Sequence, residues 1–394
     1  MSKRLTEFEK IKRQRIRKRM RKNIFYMLIL FLILFFVYFF YRNNYYNKIA
    51  NNVRGIFKVL KKGSGYPVRL NMTDIKDKSK MGSEILILDE DIISIFNKYG
   101  YKTLYKKHNL NDPRVISNND RSIVFEHLDK KFKVYSKTQE IAKKELDNLI
   151  YNIELSDDNK IGIIKGSNRF VSSLEIWNND YKPIFKWNSS DKYIMNMSFS
   201  KNNKNFVISS LAVDGVNYIS TISFFNINND KKISEINLND EMIISLKYKN
   251  NNVCAIGTRG AYLINQKGKI INKYSYEDKS IKAFDNDFSK NVILIVDNYN
   301  LNESDSLILL NDKLEKKDEK NIEGKIKDIS SNKKNVYILT EENIFEFNLS
   351  SHNLKKYNVK SIVSDIIVAD NKVYEIDISK IDLLKMDNYL GESN

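Results

Sequence analysis

SNKKNVYILTEENIFEFN, residues 331–348, holds one unit of the repeat that decides the fold. A polar cluster, Ser331-Asn332-Lys333, precedes the apolar run VYIL at 336–339, and a second apolar run ends on Phe347-Asn348 before another polar turn. The closing pair recurs at Phe96-Asn97, Trp177-Asn178, Phe225-Asn226, Ile264-Asn265 and Leu310-Asn311, with Tyr135-Ser136 and Met386-Asp387 as variants. Consecutive instances lie 37 to 48 residues apart. A short-strand repeat of that length predicts a β-propeller with one four-stranded blade per copy.

Polar turn clusters recur in step with the pairs, among them Ser79-Lys80-Met81-Gly82, Asn118-Asn119-Asp120 and Asp370-Asn371. Such residues favour turns because they bond local backbone or tolerate left-handed conformations. The runs that follow are ILIL, SIVF, IGII, FVIS, VCAI, VILIV, VYIL and VYEI, the continuous apolar pattern of strands buried on both faces. The expected fold is therefore all-β, an eight-bladed β-propeller, with a seven-bladed ring and one copy outside the circle as the alternative. Only Asn388–Asn394 follow the third strand of the last copy, which leaves that blade one strand short. An open ring would expose an edge to other chains, so Pro67–Leu70 is expected to supply the missing strand.

The formal charge of +17 is unevenly placed: residues 1–22 hold +9 of it, leaving +8 for everything after. From Ile24 to Tyr41 the run IFYMLILFLILFFVYFFY carries no charge, Gly or Pro. As a helix it spans roughly 27 Å, enough to cross a bilayer. Signal-peptide apolar regions are shorter and end in small residues, whereas here Tyr41, Arg42, Asn43 and Asn44 follow. The cations before the span put the N-terminus in the cytoplasm and the rest of the chain outside the plasma membrane. The organisation expected is a basic cytoplasmic tail at 1–23, a transmembrane helix at 24–41, an amphipathic stalk at 42–65 and an extracytoplasmic propeller at 66–394. Ile49, Val53, Ile56, Phe57 and Leu60 share the apolar face of the stalk.

Gly63-Ser64-Gly65-Tyr66-Pro67-Val68, placed after a basic tail, an apolar helix and a short stalk, resembles the lead-in of the membrane-anchored bacterial family catalogued as domain of unknown function 5711. The repeats also resemble quinoprotein and WD-like propellers. The resemblance implies a fold and an anchor, and no activity. Read from the residues, Gly63 and Gly65 give flexibility at the stalk exit and Pro67 opens an edge strand.

Chemistry is sparse. His108, His127 and His352 have no partners at metal spacing and are expected on the surface or in turns. Cys254 lies inside the run VCAI and reads as a small buried residue. No nucleophile elbow, phosphate-binding loop, zinc-protease or EF-hand pattern is present, and no cofactor or metal is expected. No aromatic residue interleaves the cations of Lys10–Lys22, which argues against nucleic acid. Propeller sites use side chains of first strands at the channel mouth, and the candidates there are Asn152, Glu154, Lys247, Asp285, Asp328 and Asp365, with Asn196, Lys282 and Lys327 beside them. The expected function is a non-catalytic docking platform in the bacterial cell envelope, whose partners are membrane lipid and an envelope protein or an anionic wall polymer. An envelope enzyme or small-ligand sensor working through the channel is the alternative.

Overall fold

The computed structural model describes residues 7–42, 55, 57–249, 251–285, 291–297, 304–359, 362–385 and 389–393. Two compact units divide the chain, residues 1–58 and 59–394. The first contains the helix Glu7–Arg42. Its described side chains are 15–35 and Tyr38, so part of the expected span Ile24–Tyr41 lies outside them. Among the described residues no helix is long and apolar enough to cross a membrane. Ile49, Val53 and Ile56 of the expected stalk lie outside the described residues, and residues 57–60 are helical with Phe57 and Leu60 exposed.

The second unit is an eight-bladed β-propeller. Among the described residues its strands form eight antiparallel sheets, each from consecutive strands except where the ends of the chain add in. The first strands are Ile75–Met81, Pro113–Ser117, Ile150–Leu155, Tyr193–Phe199, Ile243–Lys249, Ile281–Asp285, Asp328–Ser331 and Asp365–Ala369. The apolar runs of the sequence are the second strands. In blade six, Val292, Leu294 and Val296 pack toward blade five while Ile293 and Ile295 pack toward blade seven. Successive side chains of a strand point to opposite faces, so burial on both faces requires an unbroken apolar run. Eight separate buried clusters result, one in each wedge between neighbouring blades.

The recurring Asn turns the third strand into the fourth. Asn265 Oδ1 accepts the backbone N–H groups of Lys267 (2.9 Å) and Lys269 (3.1 Å), and Asn311 Oδ1 accepts those of Lys313 and Glu315 at 2.9 Å. Asn178 does the same for Asp180 and Lys182, and Ser136 Oγ stands in by accepting Gln139 N–H at 3.2 Å. The variant pair Met386-Asp387 lies outside the described residues. Each bond contributes about 1 kcal/mol net. Of the cluster Ser79-Lys80-Met81-Gly82, only Gly82 lies in the turn, because Ser79–Met81 completes the first strand of blade one.

Both ends of the propeller unit enter the ring. Val68–Arg69 becomes the outer strand of blade eight, Val68 opposite Ile381 and Arg69 opposite Lys380. The expected closure by Pro67–Leu70 is thus present. At the other end Tyr389–Ser393, which the repeat leaves unassigned, pairs with Leu354–Asn358 as a fifth strand on blade seven.

The segment ahead of the closing strand is held against the blade-one turn, which corrects the expectation of a flexible Gly63 and Gly65. Asn97 Nδ2 donates to the carbonyls of Val59 (2.8 Å) and Lys61 (2.7 Å), while its Oδ1 accepts Tyr99 and Tyr101 N–H. Tyr66 donates its hydroxyl to Asn97 O at 2.9 Å and packs on the ring of Tyr374. A Cβ on Gly63 would sit 2.6 Å from backbone atoms of Tyr99, Gly100 and Tyr101. Gly63 is there because nothing larger fits. Gly65 has a φ of +85°, a conformation that glycine adopts without strain.

His108 also departs from expectation, being fully buried. Its Nδ1 accepts Leu110 N–H at 3.2 Å, which leaves Nε2 to donate to Asp89 O at 2.9 Å and makes the ring neutral. Burial lowers its pKa, and the neighbouring Lys133, whose Nζ donates to His108 O, adds to that shift. A base whose folded pKa is depressed contributes stability that is complete above its unfolded pKa, about 6.5, and is lost as pH falls below it. Urea midpoints are therefore expected to fall between pH 7 and pH 5, with a shallower fall in His108→Gln. An equal slope in both proteins would contradict the assignment.

Candidate functional site

Every polar residue singled out at the channel mouth lies on or beside a first strand. Asn152 and Glu154 are in Ile150–Leu155, Asn196 in Tyr193–Phe199, Lys247 in Ile243–Lys249, and Lys282 and Asp285 in Ile281–Asp285. Asp328 and Asp365 open the first strands of blades seven and eight, and Lys327 precedes Asp328. First strands line the axis, where alternation leaves polar residues half-buried between the blades and the channel.

The structure brings two of them together, on a residue that sequence reasoning missed. Lys78 of blade one places its ammonium 2.6 Å from Asp328 Oδ2 and 2.5 Å from Asp365 Oδ1. The three side chains are 16%, 18% and 25% exposed, so the triad is largely withdrawn from water. Burial works against the Lys78 ammonium, yet the two carboxylates hold its pKa above the ordinary value. Burial also raises the pKa of Asp328, and Asp365 beside it adds to the rise, against the pull of Lys78. The two carboxylates thus keep the lysine charged, while burial, with the second carboxylate beside it, favours the protonated form of Asp328. Lys78 sits in the strand IKDKSKM, whose alternating lysines read as a solvated face, and nothing local marks it as different.

Three further candidates, Asn196, Asn152 and Asp285, join neighbouring blades. Asn196 Nδ2 donates to Ile243 O of blade five at 3.0 Å, and Asn152 Nδ2 to Met195 O of blade four at 3.4 Å. Asp285 accepts the Ser331 hydroxyl of blade seven. Asp328 Oδ2 accepts Ile366 N–H of blade eight at 2.8 Å, and Ser330 Oγ accepts Val368 N–H at 3.0 Å. Asp77 of blade one accepts Val115 N–H of blade two at 2.8 Å, and burial raises its pKa. In each case a side chain on one first strand reaches the next first strand around the ring. Lys78 carries the pattern across the junction where the ring closes.

Lys282 pairs with Asp297 of its own blade at 2.7 Å and, with Lys327, lines a cleft of about 300 Å³ between blades six and seven. Glu154 and Lys247 lie opposite Gly162 and Cys254 on their second strands, in separate blades. Cys254 is fully buried, and burial pushes its thiol up to about 11. Among the described residues no group of three or more His, Cys, Asp or Glu side chains is placed to hold a metal ion.

Residues 64–386 match the Family of unknown function (DUF5711). This chain belongs to that family. No curated protein matches the DUF5711 chain in sequence. Among solved structures it is similar to BamB from Moraxella catarrhalis, at 9% identity and a TM-score of 0.53, over 81% of this chain and 98% of that one. It is also similar to the C-terminal WD40 domain of Sif2, at 12% identity and a TM-score of 0.57, over 81% and 97% of the two chains. At such identities the likeness concerns the propeller fold alone.

Proposed function

We propose that this DUF5711 chain is a single-pass membrane protein of the bacterial cell envelope, with its N-terminus cytoplasmic and its propeller outside, serving as a docking platform without catalysis. One observation carries the reading: at the channel mouth Asn152, Asn196, Asp285, Asp328 and Asp365 each bond their blade to another. A ring tied in this way is a rigid body, and a broad rigid face suits binding through many modest contacts. The charge-free run Ile24–Tyr41 and the cations ahead of it supply the anchor and its orientation. An envelope protein or an anionic wall polymer is the partner, with lipid engaged by the helix and the basic tail.

Crosslinking of tagged full-length protein in intact cells tests this. Recovery of one dominant envelope protein, or of wall polymer, is the expected result. Turnover of an envelope substrate by the purified full-length protein would overturn the non-catalytic reading.

A further inference from the structure

The wedge between blades three and four is built differently from those that follow it. Two residues before the apolar residue that closes the third strand, blade five carries Tyr262, blade six Ile308 and blade seven Phe345, each buried against the preceding blade. Blade four carries Ser223 there, with Thr221 next on the same face opposite Ser210 of the second strand. Hydroxyls thus stand in blade four at a level where blades five to seven carry bulk. A cleft of about 310 Å³ opens, walled on the blade-three side by Trp187.

The floor is a hydrogen-bonded polar network. Ser210, Thr221 and Ser223 are nearly fully buried. Thr221 Oγ1 donates to Asn237 Oδ1 at 2.7 Å and accepts the Lys192 ammonium at 2.9 Å, and the Lys192 charge also acts on the Glu235 carboxylate. Ser223 Oγ donates to Glu235 at 3.4 Å, and Glu235 is held at 2.7 Å by Lys232, whose ammonium lies over the Trp187 ring. Two lysines, the carboxylates of Asp191 and Glu235, a row of hydroxyls and an aromatic wall meet in one concavity, the composition of a small-molecule site.

We propose that this cleft binds an acidic sugar unit. Its anionic substituent meets the Lys192 ammonium, its ring hydroxyls exchange hydrogen bonds with Ser210, Thr221, Ser223 and Glu235, and its apolar ring face takes the place of the Lys232 ammonium over Trp187. The inference rests on the docking reading above and names the polymer chemistry that this part of the propeller would hold.

Trp187 and Trp177 are the two tryptophans of the chain, so fluorescence reports on the cleft. Full-length protein is titrated with glucuronic acid, glucose 6-phosphate and glucose. At least one acidic sugar is expected to bind about tenfold more tightly than glucose. Preference between the acidic sugars separates a uronic polymer from a sugar-phosphate polymer. Lys192→Gln should abolish the advantage of the acidic sugar. Ser223→Ile, which places the blade-six side chain in the cleft, should abolish binding with the melting temperature kept. Glucose binding as tightly as both acidic sugars, or Lys192→Gln binding as wild type does, overturns the proposal. If Ser223→Ile also captures the same partner in cells as wild type does, the docking reading stands and the acidic-sugar site falls.

Discussion

Lys78→Met is expected to destabilise the propeller by about 3 kcal/mol, because it leaves Asp328 and Asp365 facing each other with no cation between them. The loss is read as a shift in urea midpoint at pH 7. Its pH dependence identifies the cause. Burial already raises the Asp328 pKa, and loss of the lysine raises it further, so the folded state takes up protons that the unfolded state releases. Stability of the variant should therefore recover as pH falls through the raised carboxylate pKa, while wild type gains less. Asp328→Asn in the same background should restore much of the loss at pH 7, since its Oδ1 can still accept Ile366 N–H. A Lys78→Met protein as stable as wild type, or one whose deficit is the same at every pH, would show that the triad does not hold blade one to blades seven and eight.

The second large effect is expected at the segment leading into the ring. Gly63→Val pushes a side chain into the backbone of residues 99–101, which has no flexible end to give way. Asn97→Ala removes two bonds to the carbonyls of Val59 and Lys61 and two from the N–H groups of Tyr99 and Tyr101, at a site 1% exposed. Each substitution should cost about 3 kcal/mol, as expected when several buried backbone groups lose their partners. The segment continues into Val68–Arg69, so the damage should spread to blade eight. Faster hydrogen exchange in Lys380–Leu383, with blades three to five unchanged, is the expected pattern. Protection unchanged throughout would mean that Gly63 and Asn97 do not govern closure.

These two sites also mark where sequence reading stops. The second strands were legible because burial on both faces demands an unbroken apolar run, and the closing Asn because its carboxamide satisfies the turn that follows it. Closure by Pro67–Leu70 followed from counting strands in the last copy. Gly63 looks loose in the sequence because its neighbour Gly100 is distant along the chain, and only the ring brings the two together. His108 was placed at the surface because its partners, Asp89 and Leu110, are backbone groups that no motif announces. Tyr389–Ser393 is a short run with a glycine, and its pairing with blade seven depends on where blade eight ends. At the channel mouth the first strands were legible as positions. Which residues reach across to the next blade depends on how neighbouring blades are staggered, and Lys78 looked like any other lysine of its strand.

On the proposed reading, the polar ring around the axis holds blades together and is not a working site. The direct test is the triple variant Lys78→Met, Asp328→Asn, Asp365→Asn, which removes all three charges of the triad at once. In intact cells, a folded triple variant that crosslinks to the same partner as wild type, with equal yield, is the result expected of a docking platform. A triple variant that keeps its melting temperature and loses that partner, or loses a measurable turnover, would place the function in the channel.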